Sequence, residues 1–131
     1  IEMQQNTAMM QSQTRNSIVE NQLSLYERGI TNSEFAEVAS KLRSDSKSYA
    51  DISPERFQYT LFVLSQLRIW ENEFFQYQKG LFEADEFEAR TNTWKVNISI
   101  TSTLNVWRNS ETQFAPRFRN YLNDIINEQS L

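Results

Sequence analysis

Arg68, Glu71 and Asn72 sit inside the most apolar stretch of this chain, and polar groups in such a place are the first to question for chemistry. Arg68 and Glu71 are three residues apart, so on a helix the guanidinium and the carboxylate share a face and can reach each other. Two readings follow. In the simpler one they form a structural pair, helped by Asn72, that clamps a neighbouring helix. In the sharper one they are the polar pole of a small-molecule pocket walled by Trp70, Phe74, Tyr77 and Trp94, since ligand sites combine aromatic surface with a few convergent polar groups. Neither reading assigns a catalytic residue.

The acids Glu83, Asp85, Glu86 and Glu88 are the other cluster with chemical potential. Carboxylates at the start of a helix are ordinary partners of its positive dipole end, and the di-iron bundle motif needs a Glu-x-x-His that a chain without histidine does not contain. No metal ligand set and no cofactor is assigned. The chain also lacks cysteine. Disulfides, zinc fingers, His- or Cys-held haem and Cys–His or Ser–His nucleophiles are therefore excluded. An enzyme would have to work through Glu, Asp, Tyr, Lys or Arg, and no pair of these is set apart by spacing.

The 131 residues carry a net charge of -4, with no clustered basic face of the kind phosphate binding requires, so no nucleic-acid partner is expected. That length suits one domain with a single core. Two glycines and two prolines offer few tight turns, which favours long helices over many strands. The fold class is all-α: a small antiparallel bundle of about five to six helices, with a long N-terminal helix and a long central one.

The central helix positions the candidate site. Val63, Leu67, Trp70, Phe74, Tyr77 and Leu81 recur in steps of three and four, and Phe57, Leu61, Leu64 and Phe75 form a second row beside them. Ser53, Pro54 and Glu55 supply a start, and Gly80 a stop. Residues 1–17 are a polar helical extension, and residues 18–131 the domain proper. Val19, Leu23, Tyr26 and Ile30 predict an apolar stripe and Gly29 is a natural stop, while Thr31 with Glu34 has capping-box spacing and opens a helix over about 32–43 with Phe35, Val38, Ala39 and Leu42 inward. Residues 44–51 read as a polar loop.

Beyond Gly80 a helix begins at Ala84 or Asp85, with Phe87, Thr91, Trp94, Ile98 and Thr101 inward. The alternation of Trp94, Val96, Ile98 and Ile100 with polar residues is strand-like, but a lone strand would leave its backbone unpaired, so helix is the reading. Asn105 is placed as the cap of a short helix through Val106, Trp107 and Glu111. Pro116 opens the last helix, with Phe118, Tyr121, Leu122, Ile125 and Ile126 inward.

Several separated stretches together resemble a widespread group of bacterial proteins without an established activity. They are MQQNTAMMQSQT, YERGITNSEFAEV, ISPERF and, above all, WENEFFQYQKGLFEADEFEAR; Asn105 to Arg108 and FAPRFRNYL sit where that group has a tryptophan-bearing segment and an F-x-P-x-F-R-like stretch. The resemblance implies a short transmembrane anchor ahead of Ile1, a juxtamembrane helix containing Gln-Asn-Thr, and a small helical domain on the cytoplasmic side of the bacterial inner membrane. Two departures stand out: Arg15 is the sole basic residue before Arg28, and Phe87 stands where the group usually has Trp.

The functional expectation is a non-enzymatic helical interaction or structural domain, with a protein partner or self-association through Ala8, Met9, Val19 and Leu23 of the N-terminal helix. The alternative is a small-molecule-binding or sensing module with an aromatic pocket beside the central helix. Membrane contact is expected only through a segment outside these residues, which form the soluble part.

Overall fold

The computed structural model describes residues 2–43 and 54–131. Its elements are α1 (Glu2–Thr31), α2 (Ser33–Arg43), α3 (Pro54–Gln78), α4 (Ala84–Ile98), α5 (Thr101–Ser110), a 3-10 turn (Glu111–Gln113) and α6 (Pro116–Glu128). The chain is an all-α helical bundle, with no strand among the described residues. None of the described helices is long and apolar enough to cross a membrane.

Helix α3 is the hub and packs against all the others. Val63, Leu67, Trp70 and Phe74 are buried on it, and Tyr77 and Leu81 half-buried, as the spacing predicts. The second row divides. Leu64 and Phe75 pack against the core, whereas Phe57 and Leu61 are 65% and 49% exposed. The row is covered where the segment leading into α6 approaches Arg68 and Glu71, and its first turns are left to solvent.

Gly80 ends α3 in the left-handed region, at φ 75°. The Leu81 N–H donates to the Gln76 carbonyl and the Gly80 N–H to the Tyr77 carbonyl, each at 2.9 Å, closing a Schellman turn. Ser53 and the loop expected over residues 44–51 lie outside the described residues. Gly29 does not stop α1, which runs on to Thr31; a helix tolerates one interior glycine at a cost of about 1 kcal/mol. The break falls at Asn32, whose Oδ1 accepts the Phe35 N–H at 2.9 Å, so Asn32 rather than Thr31 caps α2. Phe35 is buried; the side chains of Tyr26, Ile30, Val38, Ala39 and Leu42 lie outside the described set.

The inward stripe of α1 also differs from the one expected. Ile18 and Leu25 are buried, whereas Val19 and Leu23 face out. Gln11, Arg15, Ile18, Gln22 and Leu25 follow one another in steps of four and three, and that mixed stripe meets the body of the protein.

Helix α4 settles the ambiguous stretch. Trp94 and Ile98, four apart, are fully buried, while Val96 between them is 67% exposed, which is helical and not strand periodicity. Thr101, expected inward, is exposed at the start of α5. That helix begins four residues before Asn105, which lies in its interior and does not cap it. Its start is fixed by tertiary contact: the Tyr59 hydroxyl shares a 2.9 Å hydrogen bond with Ser102, and Val106 and Trp107 are buried.

Aromatic rings fill the centre. Trp70 stacks on Trp94 at 5.5 Å, Tyr77 stacks on Phe87 at 4.2 Å, and Phe118 of α6 meets Trp94 and Trp107 edge-on.

Candidate functional site

The residues singled out in the sequence fall into two places. Trp70, Phe74, Tyr77 and Trp94 belong to the packed aromatic core. Arg68 and Glu71 pair at 3.1 Å on another face of α3. Glu71 Oε2 accepts the Ala115 N–H at 2.9 Å, satisfying a donor at the entry to α6, and Arg68 donates to the Gln113 carbonyl at 3.1 Å while lying 4.2 Å over the Phe114 ring. Together they clamp the α5–α6 connection to α3. Asn72 accepts from Gln76 at 3.2 Å. In the acidic cluster, Asp85 accepts the Glu86 N–H and Glu86 pairs with Arg15 at 2.7 Å. Among the described residues no group of three or more acids converges as a metal site would require.

The most deeply buried charged group among the described residues is Glu73, whose place on the apolar stripe gave no sign of its partners. It lies on the buried side of α3 with no solvent exposure. Arg90 of α4 donates to it from Nε at 2.8 Å, and Gln22 of α1 from Nε2 at 3.1 Å. One carboxylate thereby ties three helices together. Burial pushes its carboxyl above the ordinary range, against the opposing pull of Arg90 and Gln22. The Trp94 indole N–H acts in the same direction as these partners without reaching any acceptor at hydrogen-bond geometry. A signal was present in the sequence: Glu73 is four residues before Tyr77 and three after Trp70, on the apolar stripe itself.

A cavity of about 170 Å³ opens beside this cluster, between α1, α3 and α4. Gln22 and Arg90 reach its wall, Gln66, Thr93 and Asn97 add to its polar lining, and Tyr59 with Thr103 of α5 also borders it. It is smaller than the roughly 300–1,000 Å³ of sites for drug-sized ligands.

The outer face of α1 is the remaining feature. Met9, Val19 and Leu23 are 58%, 42% and 59% exposed on a helix whose opposite side is pinned to the body. The pins are Gln11 to the Gly80 carbonyl at 2.8 Å, Arg15 to Glu86, and Gln22 to Glu73. The polar first half of α1 is thus continuous with the second half and docked at two points.

Comparison of the chain with family models, with curated proteins and with solved structures finds no match in any of the three.

Proposed function

We propose that the chain is a non-enzymatic helical interaction domain whose contact surface is the outer face of α1, and that the partner is a second copy of the same chain. The observation that carries this is the exposure of Met9, Val19 and Leu23 on one side of a helix fixed by its other side. Large apolar side chains gathered on one face of a docked helix favour association. Val19 and Leu23 are four residues apart, so the two side chains can meet one helical partner together. At 1.5 Å per residue the helix is about 45 Å long, ample for a helical partner.

The non-enzymatic part is supported by where the charges go. Glu73 pairs with Arg90, Glu71 with Arg68 and Glu86 with Arg15, so the acids in these clusters are engaged in holding elements together. The resemblance noted in the sequence supports a membrane-anchored bacterial protein, with α1 as the juxtamembrane element and the bundle on the cytoplasmic side.

Light scattering over a range of protein concentrations tests the proposal. A mass rising toward twice the 15.5 kDa of one chain is the expected outcome. A mass that stays at one chain throughout would overturn self-association.

A further inference from the structure

We infer that the cavity between α1, α3 and α4 is a binding site for a compact, uncharged molecule of one planar ring bearing an amide-like donor and acceptor. This inference is independent of the outer face of α1, because the cavity lies on the side of that helix turned toward the bundle.

Size sets the first limit. A cavity of about 150 Å³ lined by apolar side chains is known to hold a benzene ring. At about 170 Å³, this one has room for a six-membered ring with a small substituent and for little more. Shape and polarity set the second. Leu25, Phe62, Ile69 and Trp70 contribute apolar surface for the ring, and Gln66 and Asn97 contribute amides to the same lining.

Hydrogen-bond capacity identifies the edge the ligand must carry. Gln66 is half-buried, and its amide has no hydrogen-bond partner among the described residues, so both a donor and an acceptor are unspent. Asn97 spends an N–H on the Thr93 carbonyl at 3.0 Å, which leaves its Oδ1 free to accept. A primary amide on the ligand matches this pattern, giving an N–H to one carbonyl and a carbonyl to the Gln66 NH₂.

Charge sets the last limit. Arg90 commits Nε and Nη2 to Glu73, and the carboxylate is fully buried behind it. Glu73 already compensates the charge of Arg90, so an anionic ligand would have to share that guanidinium with a buried carboxylate, and a cation would face the guanidinium directly. The neutral ligand avoids both penalties.

Benzamide, benzoate and benzamidine are nearly isosteric and differ in charge, which makes them the probes. Nitrogen-edited NMR of the full chain would follow the side-chain amides of Gln66 and Asn97 and the Trp70 indole during titration. Benzamide is expected to shift these signals saturably at millimolar concentration or below, as fits a ligand of this size. The two charged probes should bind at least about tenfold more weakly, as should benzamide to Gln66→Leu. Thr93→Phe, which puts a ring into the cavity from α4, should abolish the response, with the dispersion of the Trp94 and Trp107 indole signals reporting that the variant is folded. No saturable shift with benzamide, equal responses to all three probes, undiminished affinity in Gln66→Leu, or a response retained by folded Thr93→Phe would overturn the inference and leave water as the occupant.

Discussion

Glu73 of α3 and Arg90 of α4 meet at 2.8 Å with the Glu73 side chain wholly shut away from solvent and the Arg90 side chain only 18% exposed. Removing one partner from such a pair strands a buried charge, whereas replacing both with apolar groups removes the desolvation cost as well. Arg90→Ala is therefore expected to lower stability by about 3 kcal/mol, and Glu73→Leu with Arg90→Met to recover most of that loss. Urea denaturation of the two proteins checks this. Equal destabilisation of both would show that the pair matters by its packing and not by its charge.

The same carboxyl sets a pH dependence. Its native pKa is raised by burial above the ordinary value of 4.5, so on acidification the folded chain takes up this proton before the unfolded chain does. Between the raised native value and about 4.5 the native state binds more protons, and stability from this group rises as pH falls. Glu73→Gln removes that dependence. Subtracting its pH–stability curve from that of the unaltered protein should leave a slope confined to this window, and a difference with the opposite slope would contradict the assignment.

Arg68 and Glu71 form a pair whose members are unequal. Glu71 is 17% exposed and accepts the Ala115 N–H at the entry to α6, while Arg68 is 52% exposed. Glu71→Ala should cost about 2 kcal/mol, because a charge-assisted bond is lost and a backbone donor is left without its acceptor. Arg68→Ala should cost about 1 kcal/mol or less, solvent screening most of its ion pair. Thermal melts of the two variants give the comparison, and a larger loss for Arg68→Ala would contradict this division.

Gly80 offers a test of the turn that ends α3. An added methyl group meets nothing within 4 Å, so Gly80→Ala isolates the backbone strain of φ 75°. The expected cost is about 1 kcal/mol in chemical denaturation. A neutral or stabilising result would mean that the turn relaxes out of the left-handed region.

What could be read from the sequence followed the strength of the apolar signal. Val63, Leu67, Trp70 and Phe74 announced the buried face of α3, and Phe118, Leu122, Ile125 and Ile126 that of α6, because apolar side chains recur there in steps of one, three and four. It failed where polar residues do the docking. The inward stripe of α1 contains Gln11, Arg15 and Gln22, so a search for apolar repeats selected Val19 and Leu23, which face solvent. Arg68 and Glu71 are visible in the sequence as an i,i+3 pair, whereas the partners of Glu73, Gln22 and Arg90, are 51 and 17 residues away. Asn105 illustrates the same limit: a good capping residue lies mid-helix because Tyr59, forty-three residues before Ser102, fixes where α5 begins.

The central claim is that Met9, Val19 and Leu23 form a contact surface for a second copy of the chain. Analytical ultracentrifugation of the full chain and of a Val19→Ser, Leu23→Ser variant tests it most directly, since both side chains are exposed and their replacement should change the melting temperature little. The account predicts a concentration-dependent dimer for the unaltered chain and a monomer for the variant, with nearly the same melting temperature for both. Identical sedimentation of the two proteins, whether as monomers or as dimers, would contradict it.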